Sequence, residues 1–404
     1  MLSRTIVAAS LAWGAAASVA HAQMRQVTRA DAIASALGRG PRLAITRADS
    51  GAADAALFLA RQYENPALTL EHTRSTPRQH LSLQLPLWVP AQRSLQIRSA
   101  SALLDAATMR FTFEREAITF DADTSYTNAL VARERSLLSA RSAADADSLV
   151  VLARIRRDAG DASELDVQLA TLSSGQFANA AALDSLGAAS ALLSVQSAMG
   201  LSSRALAITV ADSLDAGSAA IDSTDGTPLL VAAAEAAARA AELAVSLERG
   251  RLFLPPSLSF GFERQEPGGT GNQILPAIGM TIPLPLLNRN RAGVLVAQAQ
   301  RDRSAAQLLL TRVEVSAALA LADRERVIAR ERVVRTQSLV GVADRVAALS
   351  LLAYREGAST LQTVLEAQRS ARDTRTQYVE AVGALRNATA RLRLLALTSH
   401  QAGQ

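Results

Sequence analysis

The segment Arg157-Asp158-Ala159-Gly160-Asp161-Ala162-Ser163-Glu164-Leu165-Asp166-Val167-Gln168-Leu169-Ala170 has a second version in Tyr354-Arg355-Glu356-Gly357-Ala358-Ser359-Thr360-Leu361-Gln362-Thr363-Val364-Leu365-Glu366-Ala367-Gln368. In both, an alanine follows ten residues after the glycine, and the two glycines are 357 − 160 = 197 residues apart. Upstream, Asn65-Pro66-Ala67-Leu68-Thr69-Leu70-Glu71-His72-Thr73-Arg74 corresponds to Pro255-Pro256-Ser257-Leu258-Ser259-Phe260-Gly261-Phe262-Glu263-Arg264 at an offset of 190. Two markers repeated in the same order define a tandem duplication, and the repeat is the unit in which the rest of the chain is read.

The sequence between the markers specifies long helices. The 67 residues 91–157 contain neither proline nor glycine, and as one helix they would reach on the order of 100 Å. Gly160 allows a reversal, and residues 162–199 return as a second helix that ends at Gly200. The second half repeats the plan, with helices over 292–355 and 360–397. Within the first of these, Leu339, Val342, Val346, Leu349 and Ala353 step by 3, 4, 3 and 4, the spacing of a coiled-coil seam. Two shorter helices are predicted over 27–37 and 42–63, separated by Gly38, Gly40 and Pro41, and Pro228 opens another to about residue 248. Residues 201–227, rich in Ser, Asp, Gly and Ala, are expected to be a connector with little regular structure.

Near the upstream markers the period changes to two. Leu68 and Leu70, then Leu81, Leu83, Leu85 and Leu87, alternate with polar or small residues on either side of a turn containing Ser75 and Pro77. Leu258, Phe260 and Phe262, then Ile278, Met280, Ile282 and Leu284, do the same around Pro267-Gly268-Gly269-Thr270-Gly271. Each half therefore carries a β-hairpin, over about 66–88 and 256–285, with one apolar face. The alternation fits a half-buried sheet and also fits strands crossing an outer membrane. After the first residues no uncharged apolar run of eighteen occurs, since Glu235, Arg239 and Glu242 break the stretch 229–245. Entry into a membrane would thus be by strands. Four strands cannot close a membrane barrel, which begins at about eight, and an open edge in lipid leaves backbone groups unpaired. Three copies would supply twelve strands and twelve long helices.

Composition narrows the function. The 404 residues contain 12 prolines and only 3% aromatics, the makeup of long helices in close contact. The chain has no cysteine, which excludes disulfides and thiolate chemistry, and no lysine, so all 42 basic side chains are arginines. The net charge of +5 is interleaved with acids along the helices, the pattern of solvated faces and not of a nucleic-acid stripe. Arg4, the apolar residues 6–17 and Ala20-His21-Ala22 read as a signal peptide over 1–22, with the mature chain starting at Gln23. No cysteine follows that site to take a lipid. Of the four histidines, His72 and His80 flank the first hairpin loop and could approach each other, but no third ligand accompanies them. No phosphate loop or G-x-S-x-G motif occurs in a strand-turn-helix context, so neither an enzyme nor a bound metal or cofactor is expected.

The two tip segments, together with the joints Leu85-Pro86-Leu87-Trp88-Val89-Pro90 and Ile282-Pro283-Leu284-Pro285-Leu286-Leu287-Asn288-Arg289-Asn290-Arg291-Ala292-Gly293, resemble the TolC-like outer-membrane efflux factors. The second joint is similar to the branch that works with heavy-metal cation exporters. The resemblance covers essentially all of 23–397. It implies a mainly α protein with a membrane β-barrel: a homotrimer in the outer membrane, with a twelve-stranded barrel above an α-helical tunnel reaching into the periplasm. It also implies a periplasmic adaptor and an inner-membrane pump as partners, outer-membrane lipid around the barrel, and metal cations or drugs as cargo. The repeats would be 23–200 (helical pair 91–199) and 228–397 (helical pair 290–397), with a connector over 201–227 and a tail over 398–404. In this family, acids six and nine positions after the second tip glycine line a cation-selecting constriction. Here those positions are Thr363 and Glu366, and the first-repeat equivalent is Asp166. Gly160, Asp161, Gly357 and Ala358 are the implied adaptor-docking tips. The competing reading from the residues is a periplasmic coiled-coil adaptor or structural protein. For the acids, the plain alternative to a gate is a carboxylate in the first turn of a helix, where the macrodipole favours it.

Overall fold

The computed structural model describes residues 25–72, 79–87, 89–202, 207–215, 226–251, 255–264, 274–284 and 288–398. The expected signal peptide, both hairpin loops and the tail beyond Thr398 lie outside the described residues. The elements are β1 Arg25–Val27, α1 Arg29–Arg39, α2 Pro41–Arg61, β2 Ala67–His72, β3 Gln79–Pro86, α3 Pro90–Asp158, α4 Glu164–Ala198, β4 Ile208–Val210, α5 Leu229–Gly250, β5 Ser257–Arg264, β6 Ile274–Thr281, α6 Arg291–Arg355 and α7 Leu361–Ala396.

Helix α3 is unbroken over 69 residues, roughly 100 Å at the standard rise. Its buried positions are mostly small: Ala100, Ala106, Ala117, Ala122, Ala129, Ala146 and Ala153. Small contact residues bring helix axes close together, so a long rod can hold several neighbours without large side chains. Different helices pack along its length in succession. Leu57 and Ala60 of α2 meet Ala100 near the start of α3, whereas Val167 and Ala170 of α4 meet Leu149, Val150 and Ala153 near its end. Ser99 donates to the Ala240 carbonyl of α5 at 3.3 Å, and Arg312 of α6 bonds Glu235 of the same helix at 2.7 Å. α5 thereby bridges the two repeats.

The connector contains regular structure that was not expected. Residues 208–210, Ile-Thr-Val, form β4 in parallel register with β1, pairing Arg25 with Ile208 and Val27 with Val210. Both are β-branched, strand-favouring ends that bury into a cluster with Tyr126, Leu130, Val195 and Met199. The Tyr126 hydroxyl donates to the Val27 carbonyl at 2.9 Å, and the Asp212 carboxylate accepts the Arg29 amide at 3.0 Å. Each strand has three residues, and its partner lies on the other side of the first repeat, so neither carries a local signal. Helix starts are also set by caps. Thr28 and Asp31 form a capping box that begins α1 at Arg29 and not at residue 27, and Ser163 with Asp166 begins α4 at Glu164.

The two hairpins join into one antiparallel sheet of order β2-β3-β5-β6. Its register aligns Leu68, Leu83, Phe260 and Ile278 in one row, Leu70, Leu81 and Phe262 in the next, and Leu85, Leu258 and Met280 in a third. All lie on one face, and Leu70, Phe262 and Ile278 are 75%, 56% and 76% exposed. The opposite face presents Thr69, Ser82, Gly261 and Ala277, then Gln84, Ser259 and Gly279. Pro276 sits in β6, which is tolerable because β6 is an edge strand. His80 pairs with Glu71 and His72 with Gln79, so the two histidines point to opposite faces and do not approach as a pair. A single chain thus forms an open sheet and no closed barrel.

Candidate functional site

The two helix reversals have the same backbone solution. After α3, the Gly160 amide donates to Arg157 at 2.9 Å and the Asp161 amide to Arg156 at 2.8 Å. After α6, Gly357 donates to Tyr354 at 3.1 Å and Ala358 to Ala353 at 2.8 Å. These are Schellman turns, and they need a left-handed residue at the glycine: φ is +87° at Gly160 and +74° at Gly357. The predicted docking residues Gly160, Asp161, Gly357 and Ala358 are therefore the last two positions of two equivalent turns, at one end of the long helices.

Each turn leads into a capped helix. The Ser163 hydroxyl accepts the Asp166 amide at 3.2 Å, while the Asp166 carboxylate accepts the Ser163 amide and hydroxyl, both at 2.9 Å. In the second repeat Thr360 caps the Thr363 amide at 3.3 Å, and the two hydroxyls meet at 3.0 Å. Thr363 thus fills the position of Asp166 without its charge. Glu366, one turn further along α7, lies between the buried Val364 and Ala367 and is exposed. Among the described residues it has no ion-pair partner, and no hydrogen bond joins it to Asp166. Of the three predicted constriction residues, two are engaged in caps and one carries a free charge.

Beneath the turns, Leu149, Val150, Ala153, Val167, Tyr354, Leu361 and Val364 form one core, so the tips of both repeats are packed together. Arg156 ties them. Its guanidinium lies 4.6 Å from the centre of the Tyr354 ring and donates to the Tyr354 carbonyl and, at 3.4 Å, to that of Asp161. Burial pushes the Tyr354 phenol above its ordinary pKa, with Arg156 opposing and Asp166 adding to the rise. On the outer surface Arg157 pairs with Asp158 at 2.7 Å and Glu164 at 2.9 Å. The Gln168 amide, then Arg157, hold the Glu164 carboxyl below the usual carboxylate range. Arg156 and Tyr354 were not singled out from the sequence. At the 197-residue offset Arg156 aligns with Ala353 and Tyr354 with Arg157, so the clamp is not itself repeated and the duplication conceals it.

Comparison with known proteins bears on the chain as a whole. The family described as "Outer membrane efflux protein" matches residues 228–396. The cobalt-zinc-cadmium resistance protein CzcC of Cupriavidus metallidurans is 25% identical over 371 residues, covering 87% of this chain and 85% of that one. These matches support a TolC-like outer membrane efflux protein. The crystal structure of a membrane protein from Pseudomonas aeruginosa superposes with a TM-score of 0.78 at 21% identity, covering 91% and 92% of the two chains. The channel CusC superposes at 0.76 and 15% identity, covering 92% of each.

The family match contains the second tip, Gly357 and Glu366, and leaves the first tip to the duplication. Among the described residues no cluster of three or more His, Cys, Asp or Glu could hold a metal ion. His80 instead faces Glu263 at 3.3 Å on the polar side of the sheet.

Proposed function

We propose that this chain is one third of a trimeric outer-membrane conduit, in which three four-stranded sheets close a twelve-stranded barrel and the helices form a tunnel into the periplasm. The observation that carries this reading is the open sheet, one face of which carries three apolar rows, with His72, Gln79 and Arg264 in the row at the loop end. Both β2 and β6 leave a row of backbone donors and acceptors unpaired, at several kcal/mol for each group facing lipid. Pairing β6 of one copy with β2 of the next removes both edges at once.

The helices support the same symmetry. On α4, Leu165, Leu169, Leu172, Leu183, Leu186 and Leu193 keep a heptad register, with Gln176, Asn179 and Ser190 in the intervening positions, and all six leucines are exposed. On α6, Leu339, Val342, Val346 and Leu349 are 47–64% exposed. By length and composition both helices contain a window apolar enough to cross a membrane. At 35 and 65 residues they would reach about 50 and 100 Å, and seams packed against neighbouring copies account for their apolar faces.

Within the trimer, Glu366 forms a ring of three carboxylates near the axis that attracts cations and repels anions. Asp166 serves chiefly as a cap and adds to that field, and Thr363 leaves one ring uncharged. The turns at Gly160, Asp161, Gly357 and Ala358 dock a periplasmic adaptor, which couples the conduit to an inner-membrane pump. Transport through the chain is passive, with no catalytic step. The relative named for cobalt, zinc and cadmium resistance favours metal cations as cargo over drugs. Single-channel recording in planar bilayers tests the gate. Wild-type channels are expected to be cation-selective and blocked by multivalent cations, and Glu366→Ala is expected to lose both properties. Unchanged selectivity would remove Glu366 from the constriction.

A further inference from the structure

The joints between sheet and helices carry a basic collar that conduction does not use. Arg61 ends α2, Arg93 lies in the first turns of α3, Arg249 and Arg251 flank the end of α5, and Arg289 and Arg291 stand at the start of α6. The same joints contain two acids, Glu64 and Glu248. Arg61, Arg249, Arg289 and Arg291 are exposed, and among the described residues they have no carboxylate partner. Inside the collar is a cavity of about 560 Å³ whose polar lining includes Tyr63, Gln92, Arg93, Gln96 and Arg251, with the Glu64 carboxylate also in its wall. Arg93 stacks on Tyr63 at 4.1 Å and donates to the Tyr63 hydroxyl at 3.0 Å and the Arg61 carbonyl at 2.7 Å. Its Nε is buried without a partner. The N-terminus of α3, with neither a side-chain cap nor an acid in its first turn, opens beside it.

The position of the cavity decides its ligand. Asn65 and Pro255, in its wall, stand two residues before β2 and β5, so it lies at the root of the sheet, close to the apolar row of Leu85 and Leu258. A surface that changes from leucine to arginine over a few residues matches the change from acyl chain to headgroup in a bilayer. We propose that the cavity and its collar bind the phosphate of an anionic phospholipid in the periplasm-facing leaflet, with the acyl chains lying along the foot of the sheet. Arg93 and Arg251 hold the phosphate, and Tyr63 and Gln96 line the headgroup. This site rests on the outer-membrane reading and fixes the height at which the barrel sits in the bilayer.

The test is native mass spectrometry of the detergent-purified trimer titrated with phosphatidylglycerol or with phosphatidylcholine of the same chains, with inorganic phosphate as competitor. Phosphatidylglycerol is expected to be retained about tenfold more tightly than phosphatidylcholine, and Arg251→Gln to lower that retention about tenfold. Inorganic phosphate at millimolar concentration is expected to displace neither lipid. Arg93→Gln should act in the same direction but also releases Tyr63 and Arg61. The exposed Arg251, whose ion pair is with Glu248 at 2.5 Å, keeps the test independent of folding. Equal retention of the two lipids, wild-type retention by Arg251→Gln, or displacement by inorganic phosphate would each overturn the proposal. An intact trimer without lipid preference would refute this site alone, whereas loss of the trimer would refute the function it rests on.

Discussion

Gly160 and Gly357 show what the duplication means at the level of a single residue. An added Cβ at Gly160 would meet nothing within 4 Å, so its only obligation is the positive φ. Gly160→Ala is expected to cost roughly 1–2 kcal/mol, the penalty of a left-handed L-residue, and Gly160→Asn less, as read from thermal unfolding of the purified protein. In the sequence Asp166 reads either as a gate acid or as a first-turn carboxylate favoured by the macrodipole, and its bonds to Ser163 add a capping box that neither reading contained. Asp166→Ala is expected to cost roughly 0.5–1 kcal/mol while leaving cation selectivity largely in place; a full loss of selectivity with unchanged unfolding temperature would reverse that assignment. Glu164 gives a pH test. Its carboxyl is depressed in the fold, so the stability it adds is present above the unfolded value of about 4.3 and is lost as pH falls through the folded one. The difference in unfolding temperature between wild type and Glu164→Gln should be largest near neutral pH and close as acid is added.

At the scale of elements, the long helices and both hairpins were legible because each carries a sustained period or an uninterrupted run. The strands β1 and β4 were not. Arg25–Val27 and Ile208–Val210 are three residues each, and their pairing depends on Tyr126, which sits within α3. Tyr126→Phe removes one of the two donors to the Val27 carbonyl, the Ala211 amide at 3.0 Å remaining, and takes away the hydroxyl that accepts the Asp212 amide at 3.3 Å, so a loss of roughly 0.5–1.5 kcal/mol is expected. Hydrogen exchange of the Val27 and Asp212 region should rise in that variant and stay unchanged at the tips. The contacts among the helices were equally illegible. Arg135 bonds Glu380 at 3.1 Å and Asp184 at 3.0 Å, joining α3, α4 and α7, and nothing in the spacing of those charges announces the partnership.

For the whole molecule, the duplication made the two hairpins and the two long helical pairs readable, since each half carries one of each. The sheet order β2-β3-β5-β6 then adds what the sequence left open: the hairpins lie side by side in one continuous sheet, with a single edge at each end. The exposed seams on α4 and α6 give a second handle on assembly. Leu183→Glu with Leu186→Glu places charges in the heptad register of α4, and since a fully buried leucine contributes about 1.5–3 kcal/mol, the double variant is expected to run as a monomer by light scattering.

The most direct measurement is recovery of the full-length protein from fractionated membranes, run with and without boiling. The protein is expected in the outer membrane as a three-chain species that falls to single chains on heating. A soluble monomer, heated or not, would contradict this.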